Sequence, residues 1–364
     1  FTSGISGADF ENRGSADGCV FTPASPSIAK GLGLIVRVQC ETGGTVNIAL
    51  RAGSVKDEVG NTGPAASRLF DSREITRFPV TTVTNVYAGG NVTCASFSNG
   101  TAKCFGDNYY GQLGYGDTVM RGDDLANMGH SLQPIGLGAG VVDMAVGANY
   151  ACAILDNGAL RCWGRNNNGQ LGLGHNNSVA GLGDIVDLGA GRTAVQVTTG
   201  QFTTCAILDN GELKCWGGGS TGQLGHGDTS NTNTPGAPIN LGVGRTAVQV
   251  STGGSGTTCA ILDNGELKCW GWNLYGSLGL GNNTSTSLPG AAINLGTGRT
   301  AIQVDTNSWS TCAVLDNGEL KCWGRNSAGQ LGHGDYNDTN TPGGALALGS
   351  GRTALQVSAG GNHT

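Results

Sequence analysis

An all-β fold, most of it a β-propeller built on one repeated hairpin, is what this sequence predicts. The first reason is a motif. Cys-Ala-Ile-Leu-Asp-Asn-Gly-Glu-Leu-Lys-Cys-Trp-Gly at 205–217 recurs almost letter for letter at 259–271 and 312–324, with looser copies at 152–164 and 94–106. The second is its period. The first cysteines fall at 94, 152, 205, 259 and 312, in steps of 58, 53, 54 and 53, and self-similarity at that spacing marks a propeller or solenoid. The third is composition. Glycine numbers 66 of 364 residues without a Gly-x-y period, which excludes collagen and implies many turns between many short strands.

In chain order, residues 1–67 read as a different module. Cys19-Val20-Phe21, residues 33–40 and residues 45–50 read as strands with alternating apolar positions, and Cys19–Cys40 is the expected disulfide. Val55-Lys56-Asp57-Glu58-Val59-Gly60-Asn61-Thr62-Gly63-Pro64 reads as a closing turn. This ending resembles the Val-x-Asp-x-x-Gly-Asn close of bacterial Ig-like domains. The resemblance implies a partial Ig-like β-sandwich, since a whole one takes about 100 residues. Its first strands are expected upstream or from another source. Residues 68–85 read as a linker.

From about residue 86 each repeat follows one grammar. A leading strand such as Thr246-Ala247-Val248-Gln249-Val250 precedes the hairpin. In the hairpin, two β-prone runs flank Asp-Asn-Gly, whose Asn-Gly favours the φ > 0 conformations of a tight turn. A turn centred on Asn210 sets Ile207 opposite Leu213 and Cys205 opposite Cys215. Facing Cβ atoms lie about 4.5–5.5 Å apart, within disulfide reach after modest strand adjustment. The expected disulfides are therefore Cys94–Cys104, Cys152–Cys162, Cys205–Cys215, Cys259–Cys269 and Cys312–Cys322. A zinc site is the rival, but zinc favours Cys-x2–4-Cys with further ligands close by; nine residues intervene here and no histidine recurs nearby. A Gly-Gln-Leu-Gly turn starts seven residues after each second cysteine, at Gly111, Gly169, Gly222, Gly276 (where Ser277 replaces Gln) and Gly329. A polar loop follows, and a short strand such as Ile239-Asn240-Leu241 closes the unit. Four strands per repeat make one propeller blade.

The run Cys-Ala-Ile-Leu-Asp-Asn-Gly-Glu-Leu-Lys-Cys-Trp-Gly-Arg-Asn-x-x-Gly-Gln-Leu-Gly-x-Gly resembles the RCC1 repeat (regulator of chromosome condensation) over about three quarters of the chain. That resemblance implies a seven-bladed propeller, and the paired cysteines look more like bacterial secreted relatives than nuclear ones. Five repeats are complete, and Ser358-Ala359-Gly360-Gly361-Asn362-His363-Thr364 leads into a sixth. Either the chain continues past Thr364 or the blades form an open array; continuation is the expectation. The first copy is atypical: Ser96 replaces Ile, Phe105 replaces Trp, and residues 120–133 are an insertion.

Composition excludes several functions. The net charge is −6 with both signs interspersed. No Lys/Arg cluster is present to neutralise phosphates, so nucleic acid is not an expected partner. No apolar run approaches the ~20 residues of a membrane helix. Phe1 is not an initiator Met, so a mature or partial chain is expected, with no signal peptide visible. Twelve cysteines, all assignable to pairs, point to an oxidising, secreted or cell-surface location. No nucleophile stands beside a His/Asp pair and no carboxylate dyad recurs, so neither enzyme activity nor a cofactor is expected.

Candidate residues remain. Some members of the resembled family use tryptophan clusters to sense light, but one Trp per repeat (Trp163, Trp216, Trp270, Trp323) is better explained by packing between blades. Trp272 and Trp309 break that pattern and, with Tyr109, Tyr110 and Tyr275, are expected surface contacts. His226 and His333 are expected in solvated loops. Residues 228–233 and 335–340 offer oxygens of the kind Ca²⁺ takes, although Asx turns explain them equally, and no metal is expected. Arg121-Gly122-Asp123 matches an integrin-binding tripeptide by chance. Asn91, Asn176, Asn282 and Asn337 open glycosylation sequons. The leading functional expectation is an extracellular structural or adhesive scaffold contacting a protein or glycan, with self-association into a filament or layer a further version of it. The alternative is a soluble secreted binding module like a β-lactamase-inhibiting propeller. Aromatics clustered on one face would favour the alternative; aromatics kept between blades would favour the scaffold.

Overall fold

The computed structural model describes residues 81–364, except 125, 126, 130, 361, 362 and 364, and six strands of the first eighty residues. The chain divides into two units, Phe1–Val80 and Thr81–Thr364. In the first, the strands are β1 (Phe10–Asn12), β2 (Val20–Pro23), β3 (Val36–Gln39), β4 (Gly44–Val46), β5 (Ile48–Leu50) and β6 (Arg73–Ile75). They pair antiparallel as β1–β5, β2–β3 and β4–β6. Cys19, Cys40 and the turn expected at 55–64 lie outside the described residues.

The second unit is five three-stranded antiparallel sheets in series. The first holds β7 (Val83–Gly89), β8 (Val92–Phe97) and β9 (Ala102–Gly106). The second holds β10 (Val141–Val146), β11 (Tyr150–Leu155) and β12 (Leu160–Gly164). Then come β13 (Ala194–Thr199), β14 (Thr203–Leu208) and β15 (Leu213–Gly217), and β16 (Ala247–Thr252), β17 (Thr257–Leu262) and β18 (Leu267–Gly271). The last is β19 (Ala301–Thr306), β20 (Ser310–Leu315) and β21 (Leu320–Gly324). Register follows the hairpin turn: Cys205 faces Cys215 and Ile207 faces Leu213. All five expected hairpin disulfides form, with Cα atoms 4.1 Å apart.

The fourth strand of each repeat does not form. The preceding polar loops make only single bridges to the end of the hairpin, such as Gly217 with Thr232 and Gly271 with Thr286. Residues 239–241, expected as a closing strand, lie outside any strand. Ile239 N–H still bonds the Leu213 carbonyl at 2.7 Å, and Ile239 and Leu241 are buried. The Leu241 carbonyl is taken by Lys268 Nζ at 3.0 Å, as Leu188 and Leu295 are by Lys214 and Lys321. With its carbonyl bonded to lysine, the segment anchors through side chains instead of a ladder.

Repeats interlock in three ways. The cores overlap: Trp216 packs with Leu160, Leu171 and Val186 of the preceding repeat, and Trp270 with Leu213, Leu224 and Ile239. Each indole N–H donates to the preceding Gly-Gln-Leu-Gly turn: Trp163 to Gln112 O, Trp216 to Gln170 O, Trp270 to Gln223 O and Trp323 to Ser277 O, all at 2.9–3.0 Å. The last glycine of the turn makes room for it. Gly225 has φ +76, and a Cβ there would lie 2.8 Å from Trp270 Nε1. Finally, the glutamines of the leading strands imitate a ladder toward the next repeat. Gln249 donates to Val304 O at 3.2 Å and accepts from Val304 N at 2.9 Å, and Gln196 and Gln303 do the same to Val250 and Val357.

Candidate binding face

The leading strands surround a polar channel of about 420 Å³ with Gln196, Gln249, Gln303, Gln356 and Asp305 on its wall. Two hydroxyl pairs join neighbouring leading strands beside it, Thr198 with Thr252 at 3.1 Å and Ser251 with Thr306 at 3.0 Å. Asp305 accepts from Ser251 Oγ, Thr306 N and Ala359 N at 2.8–3.0 Å. Burial nonetheless pushes its carboxyl above the usual range, outweighing those donors. Asp143, at the position Gln196 holds in the next repeat, is raised by the same cause.

Where the leading strands end, the channel widens into a cavity of about 550 Å³. Its wall includes Gly200, Gln201, Asn307 and Ser308, the loops that run straight into Phe202 and Trp309. Two aromatic–arginine clusters are built from these loops and from the residues after the Cys-Trp-Gly strands. In one, Tyr109 and Tyr110 meet edge-on at 4.9 Å, and the Arg165 guanidinium lies 5.2 Å from the Tyr110 ring and 5.3 Å from Phe202. In the other, Trp272, Tyr275 and Trp309 meet edge-on at 5.7 and 6.1 Å, and Arg325 lies 4.4 Å from Trp309 and 5.1 Å from Tyr275. Tyr109 is 73% exposed. Tyr110, Phe202, Trp272, Tyr275 and Trp309 are half-buried, each presenting part of its ring.

The five aromatic residues read from sequence therefore fall into two clusters, and Arg165, Arg325 and Phe202 join them. The two arginines had a readable signal. Position three after the second cysteine is Asp107, Arg165, Gly218, Trp272 or Arg325 in successive copies, a variable place in an otherwise constant strand exit. The four regular tryptophans, Trp163, Trp216, Trp270 and Trp323, are wholly buried between repeats.

The other candidates are committed elsewhere. His226 and His333 are half-buried, not solvated: their Nε2 atoms sit 3.0 Å from the Cys215 and Cys322 carbonyls. Equivalent Tyr115 makes the same link to Cys104 with its hydroxyl, so the position serves the hairpin. Asp228 and Asp335 accept from Ser230 N and Asn337 N two residues on, at 2.8 and 2.9 Å, which are Asx turns. The backbone bond from Asn337 is the main reason the exposed Asp335 carboxyl lies below its usual range. Arg121 is held by both oxygens of Asp117 at 2.8–2.9 Å and stacks 4.1 Å over Tyr115, so its guanidinium is spoken for. Asn91, Asn176, Asn282 and Asn337 are exposed.

Two models of the regulator of chromosome condensation (RCC1) repeat match this chain. One covers 83–112, 141–170, 194–223, 247–277 and 301–330, the other 210–260 and 317–364, together more than half of the chain. The chain belongs to the RCC1 repeat family. Its curated relatives include the ultraviolet-B receptor UVR8 of Arabidopsis thaliana, 30% identical over 76% of this chain and 61% of that protein. Another is the human E3 ubiquitin-protein ligase HERC2, 29% identical over 77% of this chain and 6% of that protein. The chain thus spans about three fifths of the first relative and a small part of the second. Among solved structures, human WBSCR16 superposes with TM-score 0.67 at 21% identity, covering 95% of this chain and 84% of that one. Yeast RCC1 (Prp20), solved with Kap60, superposes with TM-score 0.63 at 19% identity, covering 80% and 68%. At these identities the likeness shows the RCC1-like propeller fold. No helix among the described residues is long and apolar enough to cross a membrane.

Proposed function

We propose that this RCC1-repeat protein is a binding module of an oxidising compartment, recognising a protein partner through the aromatic face around the wide mouth of the channel. The observation that carries the reading is the division among aromatics. Four tryptophans, one in each of the last four repeats, are wholly buried, whereas Trp272, Trp309, Tyr275, Tyr109 and Tyr110 gather into two partly exposed clusters, one of which takes Trp309 directly from a loop that lines the wide cavity. Partly exposed aromatics beside arginine are the residues that dominate protein interfaces. Five buried disulfides support secretion or surface display, where such bonds persist. In this reading the chain binds and does not catalyse.

The test compares the wild-type chain with a Tyr109→Ala, Trp272→Ala, Trp309→Ala variant as bait for secreted and surface proteins. A specific partner retained by the first and lost by the second, at equal thermal stability, is the expected outcome. Equal retention by both removes the face from the reading.

The scaffold reading keeps one supporting observation, namely that repeats joined through Trp indoles and Gln side chains form a stiff series. Native mass spectrometry of the unheated protein separates the two: filaments or layers favour the scaffold, a monomer the binding module.

A further inference from the structure

Arg165 and Arg325 stand apart from the other cations of the repeats. Arg192, Arg245 and Arg299 pair with Asp209, Asp263 and Asp316 at 3.1–3.4 Å. Arg121 pairs with Asp117, and Lys103, Lys214, Lys268 and Lys321 donate to backbone carbonyls. Arg161 donates to Gly183 O at 2.6 Å, and among the described residues Arg352 has neither an ion pair nor a ring contact. Arg165 and Arg325 likewise have no carboxylate partner among the described residues. Each instead lies against two aromatic rings contributed by different chain segments. Arg325 spends its Nε on Ser327 Oγ at 2.9 Å, which orients the guanidinium, while Arg165 Nε is buried without a partner.

A guanidinium held against aromatic rings keeps its electrostatic appetite for in-plane acceptors, and its flat fork matches a carboxylate in two parallel bonds. The rings beside it offer apolar surface to the neighbours of that carboxylate. We infer that the binding face reads an acidic peptide segment. An Asp or Glu of the partner would engage Arg165, a second would engage Arg325, and flanking aromatic or aliphatic side chains would pack on Phe202, Tyr275 and Trp309. Charge complementarity favours this occupant: the chain is acidic overall at −6, yet these two cations lie against aromatic rings with no carboxylate partner among the described residues. This inference rests on the aromatic face being the binding surface and adds the chemistry of what it binds.

The test is peptide display against the full 364-residue chain, followed by titration of the selected peptides into wild type, Arg165→Gln, Arg325→Gln, Arg325→Lys and Trp309→Ala. Expected are peptides enriched in Asp or Glu beside aromatic or aliphatic residues. Affinity should fall about tenfold to a hundredfold in each Gln variant, the range for a lost bond to a charged group. Arg325→Lys should not restore it, because an ammonium lacks the fork, and binding should weaken with added salt. Thermal melts of each variant show that the fold is kept. If Trp309→Ala abolishes binding while both Gln variants bind normally, the face stands and the acidic partner is wrong. If neither kind of change matters, or no peptide is selected, both readings fall. Parallel titrations with heparin and with the chain itself by sedimentation cover other occupants; binding of either with no acidic peptide selected overturns the inference.

Discussion

The indole N–H of Trp216 reaches out of its own repeat to the Gln170 carbonyl, 46 positions earlier. That carbonyl has a second donor, Thr204 Oγ1 at 2.7 Å. Gln112 O receives Trp163 Nε1 without such a helper, because Ala151 stands where Thr204 does. Removing one donor from a buried carbonyl that keeps another costs about 1 kcal/mol, and orphaning it costs up to about 3 kcal/mol. Trp163→Phe should therefore destabilise more than Trp216→Phe by about 1–2 kcal/mol in urea unfolding; equal losses would mean the hydrogen bonds contribute little beside ring packing. Asp305 makes a pH-dependent contribution. Its folded pKa is raised, so the native state binds the proton more tightly than the unfolded chain. That stabilisation is complete below the unfolded carboxyl value, about 3.9, and is lost as pH rises through the folded value. Lowering pH from 7 through that window should stabilise the wild type relative to Asp305→Asn, as read from melting temperatures of the pair.

Within the repeat, the hairpin and its turn do most of the specifying. The ten cysteines of the five hairpins are all bonded, so thiol titration of the denatured, unreduced chain should count no more than two sulfhydryls, those of Cys19 and Cys40. Each bridge spans a sequence separation of 10. Chain-entropy arguments give somewhat under ~3 kcal/mol for so short a loop, the loss expected for a Cys205→Ala, Cys215→Ala variant in denaturant unfolding. The glycine of the packing turn is the other device. Gly225→Ala must hold φ +76 and bring a methyl 2.8 Å from the Trp270 indole. The left-handed backbone alone costs about 1–2 kcal/mol, so a loss above about 2 kcal/mol is expected; a near-neutral variant would show that the turn can yield. Every leading strand also carries a bulge at its second residue, between Ala194 and Gln196 in the third repeat. The bulge turns Val195, Val248 and Ile302 out to 56–59% exposure and leaves the next glutamine free to reach the neighbouring repeat.

For the whole propeller unit, stability is the sum of repeats and of the contacts between them. Repeats two to four have a described sheet on either side, with indole bonds at each junction. The first repeat has Phe105 in place of the tryptophan. Hydrogen exchange should therefore protect β11, β14 and β17 most and β7 least, following the number of packed neighbours. Uniform protection would instead mean that the unit opens as one.

Much of the architecture was legible because it is local or periodic. Asn-Gly between two β-prone runs dictates a hairpin and its register, and the register alone brings Cys205 to Cys215. The period of the copies dictates a series of sheets. Legible too was that the regular tryptophans pack between repeats. Not legible was the loss of the fourth strand: Ile239-Asn240-Leu241 alternates like a strand, but its neighbouring carbonyl is drawn off by Lys268, a residue from the next repeat. Nor did His226 and His333 announce that their rings turn back to their own hairpins. The aromatic face was half visible. Trp272, Trp309, Tyr109, Tyr110 and Tyr275 stood out as departures from the repeat, while Arg165 and Arg325, although in a variable position, matched the Cys-Trp-Gly-Arg motif and gave no sign of which rings they meet. Which ring meets which guanidinium depends on loops brought together by stacking one repeat on the next, and only the tertiary structure, by making distant segments neighbours, decides that.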